Sequence, residues 1–172
     1  MNRVITDPFL FYLFSKIYEE VVHKRMYDYL QEQNLLCDTQ FGFRKGLPTE
    51  LAILKLVDWV NDAFDKGLIP AVLLLDIKKA FDTVDHDKLL QILESFGIRN
   101  VALKWFCSYL INRAQVLQNA NATSECHLLP CGVPQGSIMG PLLFLIYVDY
   151  LKYYLSEANI IIFADATLFS CM

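Results

Sequence analysis

No stretch of this 172-residue chain stays apolar long enough to cross a membrane. A spanning helix needs about 20 such residues, whereas the longest run, Ile138 to Val148, is interrupted by Gly140 and Pro141 and stops at Asp149. The N-terminal apolar run Phe9–Phe14 is too short for the core of a signal peptide and is followed by Lys16, Glu19 and Glu20, so no secretory leader is expected. The expected location is therefore intracellular, not secreted. Nor is there an excess of positive charge. Fifteen Lys and Arg against nineteen Asp and Glu leave a net charge of −4, which excludes a general basic coat for nucleic acid but not a local basic groove. The five cysteines, Cys37, Cys107, Cys126, Cys131 and Cys171, are odd in number and lack CxxC spacing, the pattern of free thiols. Internal repeats, low-complexity tracts and linkers are absent as well. What is abundant is apolar surface: 55% hydrophobic against 20% charged residues argues against disorder and for a sizeable core.

The Asp7-Pro8 pair predicts a helix start, with Asp as cap and Pro at the first helical position, and the helix should run to Glu32. Leu13, Ile17, Val21, Val22, Tyr29 and Leu30 would form its buried face, and Lys16, Glu20, Lys24 and Arg25 its wet one. A loop with Gly42 and Gly46 precedes a second helix from Thr49 to Lys66, stopped at Gly67 and apolar at Leu51, Leu54, Val57, Val60 and Phe64. Behind Pro70, the run Ala71-Val-Leu-Leu-Leu75 is too short for a helix and reads as a strand buried on both faces, ending at Asp76. Asp85 and Asn100 can each cap a helix. Two apolar segments around the polar turn Asn119–Ser124 predict a hairpin. The Gly/Pro loop Gly132-Val-Pro-Gln-Gly136 leads into another helix, and the chain ends with two short strands around a turn expected at Asp165-Ala166. Strands and helices are interspersed, so the class is α/β or α+β.

Two acids stand out. Asp76 ends one apolar strand and Asp165 follows another, Ile160-Ile-Ile-Phe-Ala164. If the strands are neighbours, both carboxylates lie at one sheet rim and can grip Mg²⁺, which favours carboxylates together with substrate phosphates. The alternative is a pair of ordinary turn residues, since Asp is favoured in turns.

The strings LLLDIKKAFDTVDH, CGVPQGSIMGPLLFLIYVD and FADAT, in this order, resemble the palm motifs of reverse transcriptases, most closely those of non-LTR (LINE-type) retrotransposons. The upstream QFGFRKG resembles their fingers motif, and SKIYEEVVHKRMYDYL the helix before it. The resemblance implies an α+β fold, with residues 1–69 as a helical fingers-like part and 70–172 as a palm with an antiparallel sheet backed by helices. It implies an RNA-directed DNA polymerase acting on an RNA template, a DNA primer and deoxynucleoside triphosphates with Mg²⁺. Asp76 and Asp165 would be catalytic metal ligands, joined by the Ile77 carbonyl. Phe81 would sit under the incoming sugar and exclude a 2′-hydroxyl by its bulk. Gln135 and Gly136 would touch template and nucleotide, and Arg44 and Lys45 would meet triphosphate or template backbone.

The chain also departs from that family. Active members carry Phe/Tyr-x-Asp-Asp, whereas this chain has Phe163-Ala164-Asp165-Ala166. Alanine offers no side-chain oxygen, so polymerisation is expected to be lost or severely impaired. Gly46-Leu47-Pro48-Thr49 stands where Gly-Arg-Ser-Thr is usual, removing a cation. A palm truncated inside its last strand, without a thumb, implies weak nucleic-acid binding and an unpaired, aggregation-prone last strand. A non-catalytic RNA- or protein-binding remnant, or a decayed reading frame without function, are the alternative expectations.

Overall fold

The computed structural model describes residues 8–116, 118–119, 122–153 and 159–171. Helix α1 (Pro8–Glu32) is followed by α2 (Thr49–Asp65), strand β1 (Ala71–Asp76) and a 3₁₀ turn at Ala80–Asp82. Helices α3 (His86–Ser95) and α4 (Asn100–Leu110) come next. Asp85 caps α3 as expected, its carboxylate accepting a 2.9 Å hydrogen bond from the Lys88 N–H. Asn100 does not cap α4: it is the helix's first residue, at a left-handed φ of 55°, and the cap position falls on Arg99, which makes no side-chain cap bond. The cap expected from Asp7 lies outside the described residues.

The expected hairpin is built from two small ladders. β2 (Arg113–Gln115) pairs with β5 (His127–Leu129), and β3 (Gln118–Asn119) with β4 (Ala122–Thr123) nearer the tip. Helix α5 (Met139–Asp149) then leads through a 3₁₀ turn to β6 (Asn159–Phe163) and β7 (Ala166–Cys171). The architecture is α+β: a three-stranded antiparallel sheet in the order β1-β7-β6 packed with helices. Among the described residues, no helix is long and apolar enough to cross a membrane.

The main core lies among α3, α4, α5 and β6. Leu89, Leu93, Leu110, Leu143, Phe144, Ile146 and Ile162 are buried there. Strand β6 serves two layers, because successive side chains point to opposite faces. Ile160 and Ile162 enter the main core, while Ile161 joins Phe41 and Ala52 in a smaller cluster beneath α2.

Four expectations need correction. β1 forms where the apolar run predicted it, yet every residue of it is exposed rather than buried on both faces. It is the edge of the sheet, and no described helix covers it. The last strand, β7, is not the unpaired edge, since it lies between β1 and β6. On α1, Leu13, Ile17 and Val21 of the expected buried face are exposed, whereas Glu19 is buried. On α2, Leu51, Leu54, Val57 and Phe64 are exposed, and the small Ala52 and Ala63 make the buried contact.

Candidate active site

The end of β1 and the β6–β7 turn meet. In the antiparallel register Asp76 lies opposite Ala166, and the next residue along, Ile77, donates its N–H to the Asp165 carbonyl at 3.2 Å. Both acids therefore belong to one end of one sheet. Sheet alternation puts Asp76 on the face it shares with Ala166 and Phe163, while Leu75, Thr167 and Ile162 form the row on the other face. The turn itself is Ala164-Asp165, one residue earlier than expected, with Ala164 at a φ of 55°. Ala166 is thus the first residue of β7, facing Asp76 across the ladder.

Asp76 is exposed and Asp165 half-buried. Among the described residues neither carboxylate is engaged in an ion pair. The oxygen donors belonging to this end are the two carboxylates and the Ile77 carbonyl, the donor type a hard cation favours. Ala166 adds nothing to it. Among the described residues, no group of three or more His, Cys, Asp or Glu side chains is gathered for a metal.

The segment after β1 is fastened to the Gly/Pro loop before α5. The Val133 N–H donates to the Phe81 carbonyl at 2.9 Å, and the Gly132 N–H to the Val84 carbonyl at 2.8 Å. Gly132 has to be glycine: its φ is +89°, and a Cβ there would lie 3.0 Å from the Asp82 Cα. A ring nitrogen of buried His86 is 2.8 Å from the Gly132 carbonyl oxygen. Gln135 reaches back to the same segment, its amide donating to the Asp82 carboxylate at 2.9 Å. Phe81 rises from the 3₁₀ turn, half-buried, with its ring 4.4 Å from that of Phe144 and 6.0 Å from that of Phe43.

Helix α1 holds the other side of this loop. Lys16 donates to the Gly136 carbonyl at 2.6 Å, and Glu19 accepts from the Ile138 N–H at 2.8 Å, at the start of α5. A carboxylate there also meets the positive end of the helix dipole. Asp82, Lys16 and Glu19 are the residues that sequence reasoning missed. Lys16 has the signature of a solvated helix face, and nothing in spacing marks partners 119 and 120 residues away.

The loop between α1 and α2 is seated on the β6–β7 hairpin. Phe41 donates its N–H to the Ile162 carbonyl at 2.8 Å, and Ile162 returns one to Thr39 at 2.9 Å, so residues 39–41 run as a parallel bridge beside β6. Gly42 then touches the turn itself: a Cβ at this position would collide with the Ala164 nitrogen and lie 2.9 Å from its Cα. Arg44 turns back into its own loop, Nη1 donating to the Cys37 carbonyl at 2.5 Å. Lys45 is exposed, and its backbone N–H donates to the Tyr27 hydroxyl. The structure thus joins Asp76, Ile77 and Asp165 directly, links Phe81 with Gln135 through the paired loops, and leaves the Arg44 guanidinium on the Cys37 carbonyl.

The model of the family described as reverse transcriptase (RNA-dependent DNA polymerase) matches residues 10–172. The chain belongs to the reverse transcriptase family. Its likeness is to LINE-type members. It is 33% identical over 139 residues to the probable RNA-directed DNA polymerase from transposon BS of Drosophila melanogaster, covering 77% of this chain and 15% of that protein. The corresponding protein from transposon X-element of the same fly is 34% identical over 134 residues, 77% of this chain and 14% of the relative. The putative 115 kDa protein in type-1 retrotransposable element R1DM is 32% identical over 143 residues, 81% of this chain and 13% of the relative. The chain therefore spans only a small part of the length of these relatives.

Proposed function

We propose that this chain is a nucleotidyl-transfer core of an RNA-directed DNA polymerase whose polymerisation step is disabled at Ala166. The observation that carries the reading is the register of Asp76 opposite Ala166, with Asp165 at the adjoining turn. In this reading residues 1–69 form the fingers-like part and 70–172 the palm-like part. The three strands and helices α3–α5, which form the main core with β6, come from the second part, and α2 and the loop that bridges β6 come from the first.

Asp76, Asp165 and the Ile77 carbonyl would hold one Mg²⁺. When bound, such ions supply charge neutralisation at the triphosphate and lower the pKa of the primer hydroxyl. The chain's own residues position the partners: an RNA template, a DNA primer and a deoxynucleoside triphosphate. Phe81 excludes a 2′-hydroxyl by occupying its space, while Gln135 and Gly136 border the template and nucleotide. Arg44 and Lys45 would face phosphates, Arg44 after leaving its contact with the Cys37 carbonyl. Alanine at 166 offers no carboxylate for a further cation, so the residues present would do little to activate the primer hydroxyl.

Primer extension on an RNA template tests this reading. The chain should give product at a rate at least about 100-fold below that of Ala166→Asp, and Asp76→Asn should abolish the rescued activity. Robust Mg²⁺-dependent synthesis with Ala166 in place overturns it.

A further inference from the structure

The most strained aromatic near the site is Phe43. Its φ is 56°, in the left-handed region that bulky residues rarely enter. Such conformations persist only where the surroundings impose them, and they gather at ligand-binding positions. Here the cause is visible on both sides. Gly42, immediately before it, lies so close to the backbone of Ala164 that no side chain fits between them. After it, Arg44 bonds back to the Cys37 carbonyl. The backbone at 43 is pinned between these contacts, and the ring is directed onto Phe81.

The contact is edge-on, with centroids 6.0 Å apart and planes at 80°, the T-shaped geometry that aromatic quadrupoles favour. Phe81 also packs against Phe144, which is buried in α5, with ring centroids 4.4 Å apart. Phe43 remains 49% exposed, so it is the wet end of a three-ring row running from solvent to the core. The contacts at Gly42 and Arg44 account for the strained backbone, and the contact with Phe81 is what the half-exposed ring makes from that position.

We infer that Phe43 is a positioning residue for Phe81, fixing the ring in the orientation that selects deoxyribose over ribose. The inference rests on the proposed role of Phe81 and adds a second residue to it. The hairpin turn that carries Asp165 sets Gly42, Gly42 sets Phe43, and Phe43 braces the sugar-side ring. Sugar selection and the metal site are thereby mechanically joined.

Two measurements on the full chain test it. In the first, 4-fluorophenylalanine is placed at position 81 and its fluorine resonance followed. Phe43→Ala should shift or broaden the signal, and Phe43→Tyr should leave it near the unmodified position. An unchanged signal in Phe43→Ala overturns the inference whatever the nucleotide does. In the second, binding of dCTP and CTP with Mg²⁺ is compared in the presence of an RNA template and DNA primer. Phe43→Ala should lower the preference for dCTP at least threefold while weakening dCTP binding less than twofold, and Phe43→Tyr should retain the preference. If Phe81→Ala loses the preference and Phe43→Ala keeps it, the inference falls and the reading of Phe81 stands. A chain that binds neither nucleotide overturns the proposed function instead, and the fluorine signal still decides whether Phe43 holds Phe81.

Discussion

The body made of α3, α4 and α5 buries its large apolar side chains, whereas α2 and β1 carry most of theirs on the outside. Leu89, Leu93, Leu110 and Leu143 are fully buried in the first region. In the second, Leu54 is 56% and Leu74 63% exposed. Composition does not separate the two regions, because both are rich in Leu, Ile and Val. The difference is the number of layers. α5 is packed against α1 and α3 at once, while β1 has one neighbouring strand and no helix over it among the described residues. Apolar sequence becomes core only where a second surface exists to meet it. Asp76 stands on the thinly covered strand, and the loop contributing Gln135 and Gly136 stands on the well-packed body. The candidate site is thus the seam between a well-packed half and a thinly covered one.

Stability should report that contrast most strongly. Leu143→Ala in α5 is expected to cost about 2–5 kcal/mol, from lost transfer energy and the cavity left behind. Leu54→Ala on α2 should stay within about 0.5 kcal/mol. Urea unfolding of the two variants measures both. Similar costs would mean that α2 is buried against something in solution, and the comparison would break.

The seam itself is next. Gly42→Ala places a methyl group against the Ala164 backbone, where neither chain can yield without moving the hairpin. The expected loss is about 1–3 kcal/mol, read by the same unfolding experiment. Its partner effect is a weaker grip on a divalent cation, because the Asp165 turn shifts, and a Mn²⁺ titration with and without the substitution measures that.

The exposed strand predicts an association phenotype instead of a stability change. Among the described residues β1 presents an unpaired edge, with Val72 to Leu75 apolar and exposed. Such edges recruit other strands, and a lysine is a common protection against this. Leu73→Lys should lower aggregation, measured by light scattering against concentration, with a stability change below about 0.5 kcal/mol.

Much of this arrangement was legible in the sequence, but unevenly. Local chemistry was readable: Asp85 before α3, the Gly/Pro loop before α5, and the short apolar run that became β1. The burial of β1 was not, because a continuous apolar run describes a strand covered on both faces and an uncovered edge equally well. The turn was misplaced by one residue because Asp-Ala looks more turn-like than Ala-Asp, and only the pairing with β1 decides the register. That one-residue slip matters, since it moves position 166 from a loop into the ladder facing Asp76. Lys16 and Glu19 were unreadable for a different reason. They act on backbone groups of a distant loop, and backbone acceptors and donors carry no sequence signature.

The finest test of the seam is electrostatic and lies on α1, the helix that holds the loop. His23 is half-buried and stacked on Tyr27, with ring centroids 6.1 Å apart. Burial pushes its pKa below the ordinary 6.5, and the neighbouring Glu20 carboxylate partly opposes that by favouring the charged ring. The folded state therefore prefers neutral His23 more than the unfolded state does. That contribution to stability is complete above 6.5 and is lost as the pH falls through the lower folded-state value. Between about pH 7.5 and pH 5, His23→Gln should flatten the decline in melting temperature by about 1–2 °C. Glu20→Gln should steepen it, because the attraction that offsets burial is removed. If Glu20→Gln flattens the decline instead, the Glu20 carboxylate does not favour the charged ring in the folded chain, and the electrostatic account of His23 fails.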